Sequence, residues 1–141
     1  MTLVFLGWQD GSELEAMTAA LRNACSEREA PLLRPAGVVA VPPRDPRLFA
    51  LDLEDARGAA GSLQAALSRA FEAGGWYMAE RRPFWPHVTF ARVRRGQRRV
   101  PGLGEEPRPP SEEFRATQVT LYRSTLRPDG ARYDALERVE L

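Results

Sequence analysis

His87 is the only histidine in a chain of 141 residues, and it stands in Pro86-His87-Val88-Thr89-Phe90-Ala91-Arg92. This run is β-favouring, and side chains alternate along a strand, so His87 and Thr89 point to one face. An imidazole beside a hydroxyl can handle a phosphate: the histidine moves a proton and the threonine donates a hydrogen bond. The spacing fits a satisfied histidine beside a β-favouring threonine just as well. Arg92 follows five residues after His87. On an unbroken strand it faces the other way, and it joins His87 only if a bulge or the strand's end intervenes. Arg92, Arg94, Arg95, Arg98 and Arg99 form a basic cluster, suited either to an RNA backbone or to a solvated loop.

Other chemistries have less to draw on. One histidine and one cysteine cannot build an ordinary zinc site, and the reading includes no metal and no cofactor. Gly102-Leu103-Gly104 lacks the pattern and setting of a phosphate loop. No serine sits in a nucleophile elbow. Glu105-Glu106 and Glu112-Glu113 lie in a stretch where solvation is the default. Cys25 shares a helical stripe with Leu14, Met17, Leu21 and Ala24, which predicts a buried structural thiol. Trp8, Trp76, Tyr77, Phe84 and Trp85 can stack on a base, although packing in the core or at its rim is the default role for each.

The elements that must position these residues follow from periodicity. Thr2 to Leu6 reads as a strand ended by Gly7. Ser12 with Glu15 is a capping-box pattern, opening an amphipathic helix to about Arg28 before Pro31. Leu32 to Val41 is a strand in which Pro35 and Gly37 predict an edge or a bulge. Leu48 to Leu53 alternates, with Leu48, Ala50 and Asp52 on one face and Phe49, Leu51 and Leu53 on the other. A second helix carries Leu63, Ala66, Leu67, Ala70 and Phe71, and stops at Gly74-Gly75. Arg81 to Pro86 is a loop stiffened by two prolines. His87 to Val93 is a strand, and Arg94 to Glu113 a long exposed loop. Phe114 to Leu126 and Ala131 to Val139 form a hairpin about Pro128-Asp129-Gly130. Strands in runs, interrupted by single helices, predict an α+β fold with mostly antiparallel sheets and flanking helices. The length suits one domain over residues 1–141.

Composition narrows the setting. Hydrophobic residues make up 43% and charged residues 28%, ordinary for a globular chain, and the net charge of +1 selects no partner. All 20 basic residues are arginine, and the chain lacks isoleucine, as codon bias in a GC-rich genome would produce. Every cation is therefore a planar fork suited to phosphate or carboxylate. A single cysteine forms no intrachain disulfide. No apolar run reaches the ~18 residues of a membrane span, and no signal peptide stands at the start. The expectation is a cytoplasmic protein without a membrane.

The stretch Phe84-Trp85-Pro86-His87-Val88-Thr89-Phe90-Ala91-Arg92 resembles the second signature of the 2′-5′ RNA ligase group of two-histidine (2H) phosphoesterases, Phe-x-Pro-His-Val-Thr-x-Ala-Arg. The proline before the histidine and the closing arginine make it far more specific than His-x-Thr. Val119-Thr120-Leu121-Tyr122-Arg123-Ser124 with Pro128-Asp129-Gly130 resembles the family's C-terminal hairpin. Met1-Thr2-Leu3-Val4-Phe5-Leu6-Gly7 resembles the end of the first signature, His-x-Thr-Leu-x-Phe-Leu-Gly. The resemblance spans essentially the whole chain.

It implies a bilobal, pseudo-twofold fold in which each lobe presents one His-x-Thr strand to a central cleft. It also implies metal-independent hydrolysis of 2′,3′-cyclic phosphate RNA ends to 2′-phosphates, by a histidine acid and base pair. His87 matches the base, or proton acceptor, and Thr89 and Thr2 match the two phosphate-binding threonines. Arg92 is a further candidate for phosphate or for structural pairing. RNA ends or nucleotides, tRNA among them, are the implied partners, and the ligase name reflects a joining reaction on certain tRNA halves.

The chain departs from the pattern at its beginning. Thr2 aligns with the first threonine, so the first histidine falls before Met1, and the family's usual first strand and helix are not represented. The reading is of an N-terminally incomplete member: a start downstream of the true one, a remnant that binds without turnover, or a chain completed by residues supplied beside Met1. One positioned acid or base is worth about 10²–10⁴ in rate, so His87 alone implies impaired catalysis. An uncovered sheet edge near Thr2 to Leu6 predicts a homodimer through that edge. The alternative function is a degenerate module that holds nucleotides or RNA ends.

Overall fold

The computed structural model describes residues 1–93, 96, 110–128 and 130–141. Arg94, Arg95, Arg98 and Arg99 of the basic cluster, Gly102 to Gly104, Glu105-Glu106 and Asp129 lie outside them, as does most of the loop expected from Arg94.

The first regular elements are a short 3₁₀ turn, Gly11–Glu13, and α1, Leu14–Cys25. The turn is capped by Asp10, not by the expected Ser12. The Asp10 carboxylate accepts from the Ser12 backbone N–H at 2.9 Å and from its hydroxyl at 2.8 Å. These bonds hold the Asp10 carboxyl below its ordinary range, the backbone bond contributing most. The helix ends at Cys25 and not near Arg28, because Ser26 turns extended and Glu27 adopts a positive φ of 58°.

Strands β1 (Leu32–Val41), β2 (Leu48–Glu54), β3 (His87–Arg92) and β4 (Phe114–Arg115) form an antiparallel sheet in the order β3-β2-β1-β4. Helix α2 (Ala59–Ala73) joins β2 to the loop before β3. Strands β5 (Gln118–Arg127) and β6 (Gly130–Glu140) form the predicted hairpin as a second sheet. This is the α+β, antiparallel architecture expected.

Several local expectations are resolved or corrected. The edge or bulge expected at Pro35 and Gly37 is a bulge against β2, beyond the Leu32 and Leu33 stretch that β4 pairs with. The single strand expected from Phe114 to Leu126 is two strands in different sheets. Phe114-Arg115 pair with β1, with the Ala116 N–H donating to the Pro31 carbonyl at 2.8 Å one step beyond, and from Gln118 the chain pairs with β6 instead. Met1 to Asp10 contains no strand, so Thr2 to Leu6 does not extend a sheet. A β-favouring run becomes a strand only when its backbone finds a ladder partner. Here Leu3, Val4 and Leu6 instead pack against the helices.

The main core lies between α1 and α2, where Met17, Leu21, Cys25, Leu63, Leu67 and Phe71 are buried. Val119, Leu121 and Val139 of the hairpin close over it. Arg22 of α1 and Glu137 of β6 reinforce that contact, with both Nε and Nη2 donating to one carboxylate oxygen at 3.0 and 2.9 Å. A smaller cluster of Leu33, Leu53 and Ala60, with Leu51 and Phe84 against it, joins the four-stranded sheet to α2. Helix α2 is capped from a distance: the Asp55 carboxylate accepts from the Gly61 N–H at 2.9 Å. Its C-terminal glycines follow from geometry. Gly75 sits at φ 76°, and a Cβ on Gly74 would stand 2.1 Å from the Trp76 indole.

Candidate active site on strand β3

The approach to β3 is rigid before the strand begins. Pro83 and Pro86 restrict the backbone, and the Leu53 N–H of β2 donates to the Pro86 carbonyl at 3.0 Å. This bond delivers His87 to the first rung of the ladder, opposite Asp52.

The imidazole is held on its edge and on its face. Nδ1 donates to the Trp85 carbonyl at 2.8 Å. A carbonyl oxygen can only accept, so the proton of the neutral ring resides on Nδ1 and Nε2 keeps its lone pair. The Trp85 indole lies against the ring, with centroids 4.0 Å apart and planes 15° from parallel. Trp85 is held in turn: its Nε1–H donates to the Asp52 carboxylate at 2.6 Å.

Register decides which other residues share the face of His87. Residues directly opposite each other in an antiparallel pair project to the same side. His87 opposes Asp52, Thr89 opposes Ala50 and Arg92 opposes Leu48. Asp52, Ala50 and Leu48 are alternate residues of β2, hence on one face. The pairing shifts between Phe49 and Ala50, which oppose Ala91 and Thr89, so Phe90 is an additional residue on β3. That bulge restores Arg92 to the face of His87 and Thr89, the condition its spacing demanded. Ala50, beneath Thr89, is fully buried and small, leaving the threonine hydroxyl room at the surface of the sheet.

Among the described residues, no side-chain hydrogen bond engages the hydroxyls of Thr89 or Thr2, and Arg92 forms no ion pair. Thr2 is exposed, at the start of the segment packed on the helical core, and no hydrogen bond joins it to His87 or Thr89. The sheet therefore brings together His87, Thr89 and Arg92, and the structure leaves Thr2 on a different element.

The remaining candidates resolve into packing roles. Cys25 is buried, and desolvation raises its thiol above the ordinary range against the opposing pull of Arg28. Trp76 meets Phe71 edge-on at 6.4 Å and donates to Glu13 at 3.1 Å. Tyr77 packs on the main core and Phe84 on the smaller one. Trp8 is exposed. A cleft of about 170 Å³ lined by Leu32, Arg34, Glu54, Ala56, Arg57 and Glu113 excludes His87 and Thr89. Its cations are already engaged, Arg34 with Glu54 and Arg57 with Glu29. Among the described residues no cluster of three or more histidine, cysteine or acidic side chains could hold a metal ion. None of their helices is long and apolar enough to cross a membrane.

Sequence reasoning missed the part played by Asp52. The available signal was a carboxylate within the otherwise apolar run Leu48-Phe49-Ala50-Leu51-Asp52-Leu53, a place where an ionised group needs a partner.

Comparison with known proteins gives the family and the fold. The chain matches the family model of the 2′-5′ RNA ligase superfamily over residues 1–127. It is similar to the crystal structure of TT0787 of Thermus thermophilus at 31% identity and TM-score 0.67, covering 99% of this chain and 76% of that one. Its fold is also similar to E. coli LigT complexed with 3′-AMP, at 23% identity and TM-score 0.77, covering 99% and 75%. LigT complexed with NADP+ gives 23% identity and TM-score 0.72, covering 99% and 74%. No curated protein matches the sequence. The His-x-Thr strand, the α+β architecture and the match over residues 1–127 make this chain a member of the 2′-5′ RNA ligase superfamily, with the 2H phosphoesterase fold.

Proposed function

We propose that this single-domain chain acts on RNA ends as a 2′,3′-cyclic phosphodiesterase, with His87 as general base. The observation that carries the reading is the His87 imidazole, held by its Nδ1 so that Nε2 presents a lone pair. Nε2 takes a proton from water as the water oxygen attacks phosphorus. The bond from phosphorus to the 3′ oxygen breaks, that oxygen takes a proton from solvent, His87 releases the proton it gained, and a 2′-phosphate remains. Thr89 donates to a phosphate oxygen, and Arg92 pairs with the phosphate on the same face. Thr2 is the second phosphate-binding threonine of this reading. Nucleotides in the LigT crystal structures support a ligand of this chemical class.

The test is metal-free hydrolysis of an RNA oligonucleotide ending in a 2′,3′-cyclic phosphate, comparing the chain with His87→Ala. Turnover to a 2′-phosphate should fall by about 10²–10⁴ in the variant. Undiminished turnover in His87→Ala would overturn the assignment.

A second reading rests on the single histidine. Protonating the leaving oxygen requires an acid, and the described site on β3 holds one imidazole, already assigned as base. A chain that binds nucleotides yet turns over none of the oligonucleotide is a binding module. Its native state should then gain thermal stability with added nucleotide, as any native-state ligand requires. The homodimer expected through a sheet edge at Thr2 to Leu6 loses that premise, since the segment is no strand; a second copy meeting the exposed Phe5 is what remains of it in this proposal. A concentration-independent monomeric mass would remove it.

A further inference from the structure

We infer that Trp85 and Asp52 are positioning residues that hold the His87 imidazole in one tautomer and one orientation. The inference rests on His87 being the base of the proposed reaction. It concerns side chains that do no chemistry themselves.

An imidazole on a free side chain rotates about χ2 and exchanges its proton between two nitrogens. As a base at a fixed phosphorus it needs one nitrogen, unprotonated and correctly aimed. Two restraints supply this, and both come from Trp85. The carbonyl at 2.8 Å selects Nδ1 as the protonated nitrogen. The indole plane at 4.0 Å and 15° removes the remaining tilt. A backbone carbonyl alone restrains the edge of a ring and leaves it free to swing about that bond.

The indole holds the ring only if it is itself held, and Asp52 does this. A charge-assisted bond from Trp85 Nε1–H to the Asp52 carboxylate spans 2.6 Å. Asp52 is also the cross-strand partner of His87, so the restraint closes on itself through the β2–β3 ladder. The three residues form one unit: Asp52 fixes the indole, and the indole and its carbonyl fix the imidazole. This use of Trp85 differs from a platform for a substrate base, since one indole face is already taken by His87.

The unique histidine makes the test direct. Long-range ¹H–¹⁵N spectra of the labelled chain report a single imidazole. For the neutral ring they should show a protonated Nδ1 and an unprotonated Nε2. Asp52→Ala and Trp85→Leu keep the backbone carbonyl at position 85, so the Nδ1–H tautomer should persist, while the upfield ring-current shift that the stacked indole puts on the imidazole C–H protons should shrink or vanish. Asp52→Asn keeps an acceptor oxygen for the indole and should retain the native pattern. In the hydrolysis assay the first two variants should lose roughly 10- to 100-fold in kcat with KM nearly unchanged, the range expected for a small misplacement of a reacting group. A wild-type ring protonated on Nε2, or native imidazole proton shifts in Asp52→Ala, overturns the inference. So does a change confined to KM, which is the signature of a base platform. The spectra need no turnover, so they decide the positioning role even if His87→Ala removes the proposed function.

Discussion

Arg92 lies on the same face of β3 as His87, although the two are five residues apart on a strand. The extra residue Phe90 is the reason: it absorbs one step of the alternation between Thr89 and Ala91. A guanidinium, a hydroxyl and an imidazole are thereby presented together, in an order suited to gripping a phosphate and moving a proton beside it.

Arg92→Ala should raise KM for the cyclic-phosphate oligonucleotide by roughly tenfold or more, as expected when a hydrogen bond to a charged group is lost. Arg92→Lys should recover only part of it, because the planar fork is lost while the charge is kept. The check is KM at low and at high salt, where the wild-type advantage should shrink as phosphate is screened.

Thr89→Val keeps the shape and the β preference of the side chain and removes its hydroxyl. We expect kcat/KM to fall roughly 10- to 100-fold, the range for one hydrogen bond to an ionised oxygen. Thermal stability should change little, since no protein group among the described residues uses that hydroxyl. Equal activity in the two proteins would remove Thr89 from the site.

Cys25 should react slowly with a thiol reagent in the folded protein and fully after unfolding, because it is buried. Burial raises the folded thiol's pKa above the ordinary value of 9.0, so the folded state keeps its proton where the unfolded chain releases it. This contribution to stability is complete below the unfolded value and is lost as pH rises through the folded one. Urea midpoints of the wild type should therefore decline more steeply above pH 9 than those of Cys25→Ala.

Leu67 is 1% exposed, between α1 and α2. Leu67→Ala should cost about 2–5 kcal/mol, from lost burial and the cavity left behind. Equilibrium urea unfolding measures it. A loss under about 1 kcal/mol would mean that the helices collapse onto the gap.

Local pattern carried most of the elements. The helical stripes of Met17, Leu21 and Cys25 and of Leu63, Leu67 and Phe71 were legible because a helix buries one side at a fixed period. Leu32 to Val41 matched β1 in both bounds. The pairing of His87 with Thr89 needed only the two-residue repeat of a strand, and the arginine and proline around them carried the family resemblance.

What pattern could not reach was everything set by a partner distant in sequence. Whether Thr2 to Leu6 forms a strand depends on a ladder partner, and the run from Phe114 divides because Phe114-Arg115 pair with β1 while Gln118 onward pairs with β6. The bulge at Phe90 is a mismatch between β2 and β3, invisible in either strand alone. Asp52 reads in sequence as one polar residue in an apolar strand. Only the register that sets it opposite His87, within 2.6 Å of the Trp85 indole nitrogen, makes it part of a site. Residue type and spacing thus determined which groups could do chemistry. Strand register and hydrogen bonds between segments far apart in the chain decided which of them meet, because those are properties of pairs that no single segment contains.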